Sequence, residues 1–338
     1  MPTTVHVISP VTGTGNRLDL ELVAPLLEQS GFAVTRYPVR NRGRRARYTH
    51  VARTLLRHPL RFDLNLFLGA LLPELLPLGR KNVWIPNPEG FDERLRKWLP
   101  RIDYVLIKMR SAERIYGELG CKTKYVGFTS RDYFDPQVTR DYTRFFHAHS
   151  SQFKGTPRLL EVWAAHPEWP ELVVASTYAN ETITGFQAAN ICILRNLPDA
   201  EYRQLQKSIG FHLCCSETDG WGHYIVEAMG CGAVTFTTNA PPMNEHVQPD
   251  RGILVDCLAE TRPFGLAQRY AFKAASLEEQ VRRALKLDRA SLEQISSSAR
   301  AFFLENDRRF RQNFPVVIRS VIEGASKAQT DRPTPVQP

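Results

Sequence analysis

A chain of 338 residues, 43% hydrophobic and 23% charged, exceeds the usual size of one hydrophobic core and is too apolar for a disordered or collagen-like polymer, so two globular domains are expected. Its six cysteines (Cys121, Cys192, Cys214, Cys215, Cys231 and Cys257) form no CxxC pair and no zinc spacing, which argues against a disulfide scaffold and predicts buried, reduced thiols. The net charge of +9 is concentrated in "RYPVRNRGRRARYTHVARTLLRHPLR", where nine arginines and no acid lie between Arg36 and Arg61; this is either a solvated helix face plus loop or a surface that attracts phosphates.

In chain order, "TVHVIS" (4 to 9) reads as a strand, "PVTGTGNRLD" as a loop, "LELVAPLLEQSG" as a helix stopped at Gly31, and "FAVTRYPV" as a second strand. This unit opens a doubly wound parallel sheet. Further strands are expected at 62–69, 81–86, 103–108 and 123–128, with "SAERIYGELG" a helix before the last. The longest apolar stretch, "LNLFLGALLPELLPLG", is cut by Pro73, Glu74 and Pro77 and falls short of a membrane span. Periodicity fails over 129–143, the expected linker. A second cycle follows: strand 144–150, helix 156–167, strands 171–177 and 190–196, helix 199–210, strand 211–216, helix 223–232 and strand 233–238. The chain then reads as helices over 276–287 and 291–324, the latter broken near Pro315. The expected division is a first Rossmann-like domain over 1–135, a second over 136–305, a helix over 306–325 packing back on the first, and a disordered tail over 326–338. The N-terminus shows no signal-peptide pattern, and a cytoplasmic protein is expected.

Four loops carry chemistry. "TGTGNR" supplies Gly13 and Gly15 but no third glycine, and the next strand ends in "VTRYP" without an acid to hold a ribose, so NAD is not expected. With Asn16 the loop is a tight turn or a backbone lining for an acceptor or phosphate. "NPEG" places Asn87 and Glu89 after a buried-looking strand, as site residues or as an Asx turn. "HSSQFKGT" puts His149, Ser150 and Lys154 where the second half's first strand ends, so that a diphosphate there would meet a point charge and helix amides. The fourth, "ETDGWGHYIVEAMGCGAVTFTTNAPPMNEHV" (217 to 247), is the richest. Gly220 and Gly222 remove Cβ obstruction, and the helix from His223 turns its amides back on the loop. Asp219 in the loop and Glu227 one turn inside the helix are expected to line one pocket. The alternative for Glu227 is a solvated face, but its neighbours Ile225, Val226, Ala228 and Met229 are apolar, and a buried acid needs partners. Carboxylates beside amides and a lysine suit a ligand with both hydroxyls and phosphates, namely a nucleotide sugar.

Here the residues resemble a family. "DGWGHYIVE" is similar to the ExGxG…E signature of the retaining GT-B glycosyltransferases of family 4, with "EAMGCGAVTFTT", "NAPPMNEHV" and "KGT" continuing the likeness through the C-terminal half; the N-terminal half resembles that family in architecture only. The resemblance implies an α/β, GT-B fold with two Rossmann-like domains facing each other across a cleft. It implies a retaining, metal-independent hexosyltransferase with no cofactor besides its nucleotide-diphosphate sugar. Glu227 would hold the ribose, Asp219 the donor sugar hydroxyls, Lys154 and the amides near Gly222 and His223 the diphosphate, and Asn244 and Glu245 would lie in the donor pocket. Gly13, Gly15, Asn16, Asn87 and Glu89 fall on the acceptor side. In the family a donor phosphate oxygen is thought to take the acceptor proton. The sequence departs from the pattern at Asp219, one methylene shorter than the usual glutamate, where the sugar contact stays or passes to Glu217. It departs again where an arginine usually precedes the lysine, leaving His149 or Ser150. With the arginine-rich stretch in the acceptor domain, the expected acceptor is anionic or at the inner membrane face, as in polysaccharide or lipopolysaccharide assembly. The alternatives are a GT-B epimerase or phosphorylase, and a non-enzymatic membrane or nucleic-acid binder on the same fold; a nucleic-acid partner is the less expected of these.

Overall fold

The computed structural model describes residues 2–11, 14–39, 43–57, 62–177, 183, 185–260 and 263–324. Gly13, Arg40, Arg42, Arg61 and the tail over 326–338 lie outside the described residues. Of the nine arginines in that stretch only Arg36 and Arg47 are described to the side chain. They pair with Glu28 and Glu74.

The first half runs β1 (Thr4–Pro10), α1 (Thr14–Gln29), β2 (Ala33–Val39), α2 (Arg44–Arg57), β3 (Phe62–Leu68), β4 (Gly79–Ile85), β5 (Tyr104–Ile107), α3 (Arg110–Glu118) and β6 (Thr123–Tyr125). Its six strands are all parallel in the order β2-β1-β3-β4-β5-β6. The central strands are buried on both faces, β1 from Val5 to Ser9 and β3 from Leu64 to Leu68, as a parallel sheet with cover on each side requires.

After the linker come β7 (Asp141–His149), α4 (Thr156–Ala164), β8 (Glu171–Ser176), β9 (Ile191–Arg195), α5 (Asp199–Ser208), β10 (Ile209–Cys214), α6 (His223–Gly230), β11 (Val234–Thr238), α7 (Met243–His246) and β12 (Ile253–Val255). These six strands are also parallel, ordered β12-β11-β10-β7-β8-β9. A short antiparallel hairpin, β13 (Cys257–Ala259) and β14 (Tyr270–Phe272), then leads to α8 (Ala274–Ala284) and α9 (Arg289–Glu323). The six cysteines are free thiols; Cys214, Cys215 and Cys231 are buried and the other three are half-buried.

The expected break near Pro315 is absent, and α9 is one helix of 35 residues, about 52 Å long. Proline in a helix interior costs about 3 kcal/mol. Here that loss is offset because Phe303, Phe310, Phe314, Ile318 and Val321 all enter the core of the first sheet, beside Val5, Val23 and Leu27. Asn306 donates to the Phe128 carbonyl and Asp307 accepts from Thr129, so α9 is also tied to the linker. No helix among the described residues is long and apolar enough to cross a membrane.

Candidate functional site

In an open parallel sheet, ligands collect beyond the carboxyl ends of the strands where the strand order reverses. That point lies between β1 and β3 in the first sheet and between β7 and β10 in the second. The loops leaving β1 and β4 meet the loop leaving β10 across the cleft. A Cβ on Gly15 would stand 3.9 Å from the His223 ring, and one on Gly220 would lie 2.5 Å from the Asn87 carboxamide.

Lys154 ends the 3-10 turn Gln152–Lys154 that follows β7. The next residue, Gly155, has φ +66°, and a Cβ there would lie 2.7 Å from the Cys215 carbonyl, so only glycine lets this turn pack against the end of β10. The turn buries the Lys154 ammonium over the Tyr224 ring and against Asp219, to whose Oδ2 it donates at 2.7 Å. Asp219 also accepts from the Gly222 amide at 2.8 Å. Burial raises its pKa, but Lys154, His223 and that amide together outweigh burial and hold the carboxyl below its usual range.

Only the first of the two sequence-predicted acids lines the interdomain cavity. Glu227 is 5% exposed and is turned toward α5, where Arg203 and Gln206 donate to its Oε2 at 3.1 and 3.2 Å. Arg203 in turn stacks on Tyr133. In this structure Glu227 therefore does not line the cavity that Asp219 lines. Glu227 lies about one turn into α6, on the side that meets Arg203 and Gln206 of α5.

The remaining candidates separate into groups. Glu217 is bonded to Arg269 rather than free toward a sugar. His149 is buried, shares the Thr156 hydroxyl with His147, and has its pKa lowered by burial, whereas Ser150 is exposed. Asn16 fits against Gly69, and Asn244 donates to Asn239. Asn87 and Glu89 stand on the turn after β4, clamped by the second domain, with Leu266 donating its amide to the Pro88 carbonyl. A cavity of about 560 Å³ opens beside that turn, lined among others by Pro88, Arg110, Thr218, Asp219, Pro242 and Tyr270. This is the size range of small-ligand sites.

Two interdomain links went unread in the sequence. Asp19 of α1, 2% exposed, accepts from Lys108 at 2.9 Å and from His223 Nε2 at 2.8 Å. The other ring nitrogen of His223 bonds Ser130, which also accepts from Trp221. Burial raises the pKa of Asp19, yet Lys108 and His223 outweigh it and bring it to about 2. An acid, Asp19, flanked by leucines in α1, and a lysine at the exit of β5, were the available signals. The His223 side chain carries this link, whereas the expectation at the diphosphate concerned the amides near it.

The second link is Glu245, whose two carboxylate oxygens accept from the Arg110 and Ser111 amides at 2.7 and 2.9 Å. It caps α3 from the opposite domain, where the residue in the cap position, Met109, offers no side-chain acceptor. Caps of this kind contribute about 1 kcal/mol. Glu245→Ala is expected to speed hydrogen exchange at Arg110 and Ser111 several-fold, with β1 amides unchanged; exchange measured by NMR checks it.

No protein-family model and no curated protein matches this chain. Solved structures do. The chain is similar to a glycosyltransferase from Rickettsia africae (12% identity, TM-score 0.70, 96% of this chain and 100% of that one). It is similar as well to a sucrose-phosphate synthase from Thermosynechococcus elongatus (11%, 0.73, 96% and 100%). A third is Anabaena HepE in complex with UDP and glucose (16%, 0.69, 94% and 100%). At these identities the likeness defines the class of fold: two Rossmann-like domains in the GT-B arrangement of glycosyltransferases.

Proposed function

We propose that this protein is a glycosyltransferase that moves a hexose from a nucleoside-diphosphate sugar to an acceptor held on the first domain, with retention and without a metal. The observation that carries the reading is the buried Lys154–Asp219 pair at the switch point of the second sheet, where Asp219 also lines the 560 Å³ interdomain cavity. A diphosphate entering there competes with Asp219 for the lysine. As Lys154 turns to the phosphates, Asp219 gains a free oxygen for a donor hydroxyl. Positioning and stabilisation of the leaving diphosphate then supply the catalysis. HepE, solved with UDP-glucose and with UDP, makes a uridine donor the first to try. Glu227 is the proposed ribose residue, reached by exchange with Arg203, and the arginine-rich stretch is the proposed contact for an anionic acceptor.

The test is thermal unfolding with UDP, GDP, ADP and dTDP. One nucleotide at about a hundred times its dissociation constant stabilises by roughly 2.7 kcal/mol, a rise of a few degrees. Glu227→Ala is expected to abolish that rise. A folded wild type unmoved by all four nucleotides would remove the donor reading and leave the fold.

A further inference from the structure

The interdomain cavity of about 560 Å³ is lined by Asp219 but by neither Lys154 nor Glu227. It is therefore distinct from the part of the cleft assigned to the nucleotide, and its opposite wall is α3 of the first domain. That wall is apolar. Ala112 and Ile115 of α3, with Leu119 just past its end, fall at i, i+3 and i+7 and so share one face. Arg110 and Arg114 also line the cavity, but both are exposed and have Glu113 and Glu118 at 4.0 and 3.7 Å, so they do not make an anion site. A third wall comes from the second domain. Leu266, between β13 and β14, donates its amide to the Pro88 carbonyl at 2.9 Å and packs on the first-domain core that holds Phe91 and Tyr116. Leu266 and Tyr270 both line the cavity. Beside Asp219 stands Thr218, 2% exposed, whose Oγ1 has no hydrogen-bond partner among the described residues. A buried hydroxyl left unpaired is costly and rare, and here it borders a space large enough for a ligand.

Resting on the glycosyltransferase reading, we infer that this cavity is the acceptor's pocket and selects an alcohol or phenol whose hydroxyl is borne on an apolar body. The body lies on Ile115, Leu119 and Leu266, and Thr218 donates to the hydroxyl oxygen beside the sugar held by Asp219. A polyol in the same place would give up its bonds to water against a wall that offers none in return, whereas an apolar body gains by leaving water. The acceptor oxygen bonds to the anomeric carbon on the face that the diphosphate leaves. The bond from that carbon to the diphosphate oxygen breaks with its electron pair on the diphosphate, which also takes the hydroxyl proton. The anionic group proposed for the acceptor is left to the arginine-rich stretch, none of whose described residues lines the cavity.

The experiment compares wild type, Ile115→Asp and Ile115→Leu. Binding of 1-octanol and of 4-methylumbelliferone is followed by equilibrium dialysis. Transfer to these two, to glycerol and to glucose is followed with UDP-, GDP-, ADP- and dTDP-glucose, and thermal shift with the free nucleotides reads the donor half separately. Ile115 is half-buried, so the aspartate is expected to leave the fold intact; Leu119→Asp, equally half-buried, replaces it if the melting temperature without ligand collapses. The expected result is equal nucleotide stabilisation in all the proteins and binding of at least one apolar alcohol by wild type and Ile115→Leu. Ile115→Asp should lose about tenfold in that affinity, and wild type should transfer to that alcohol in preference to glycerol and glucose. Octanol against 4-methylumbelliferone tells a flexible alkyl body from a flat aryl one. Binding of neither alcohol, binding that the aspartate leaves unchanged, or preferred transfer to glycerol or glucose overturns the inference and leaves the glycosyltransferase reading intact. So does a wild type that binds nucleotide and alcohol but transfers from none of the four sugars. A wild type that binds no nucleotide overturns both.

Discussion

Lys154→Met is expected to destabilise the protein by about 3 kcal/mol and to abolish nucleotide-induced stabilisation. Its ammonium is one of the most enclosed charges in the second domain, 2.7 Å from Asp219, and removing one partner of a buried pair strands the other. The shape of the cycle is more informative than the single loss. Asp219→Asn alone should cost a similar amount, while Lys154→Met with Asp219→Asn should cost well under the sum, since neither charge is then left behind. Urea unfolding of the four proteins measures the coupling. Additive losses would mean that the pair is not electrostatically joined, and the proposed exchange of Asp219 for diphosphate would lose its basis. The acid side gives a second reading. Asp219 is held below its usual pKa, so its contribution is present above the unfolded value near 3.8 and is lost as pH falls through the folded one.

Asp19→Asn is expected to have the other large effect, again about 3 kcal/mol, by leaving Lys108 buried without its counter-charge and His223 Nε2 without its carboxylate. The folded pKa of Asp19, about 2, lies below the unfolded one. The gap between wild type and Asp19→Asn should therefore be full above about pH 4 and close as pH drops toward 2. Denaturant curves from pH 2 to 7 check the sign; a gap that widens on acidification would contradict the network. Because Asp19 and Lys108 belong to the first domain and His223 to the second, the loss should be accompanied by looser interdomain contact, seen as a larger radius of gyration in solution scattering.

The fold was legible because both halves alternate short β-branched runs with amphipathic helices, and a sheet buried on two faces needs little else to declare itself. What stayed hidden depended on contacts far apart in sequence. Pro315 reads locally as a break, and only the first-domain surface under Phe314 and Ile318 overrides it. The strands Cys257–Ala259 and Tyr270–Phe272 are too short for any period to show. In the site, glycine spacing identified the loop around Asp219, and the lysine before Gly155 could be placed at a strand end. The direction of Glu227 could not be read, because it depends on how α6 lies against α5. Nor could the pairing of Asp19 with His223, 204 residues apart.

The path of α9 has a consequence for how the molecule can be taken apart. The backbone passes between the two sheets twice, once through the linker and once through this helix, and the helix ends with its aromatic residues inside the first half's core. A fragment cut after β6 would hold every strand of its sheet and still lack Phe310, Phe314, Ile318 and Val321 from its interior. The first half is thus completed by a segment made only after the whole second half. Its folding cannot finish as it emerges but must wait for the whole second half, so the protein is divisible by architecture and indivisible in synthesis.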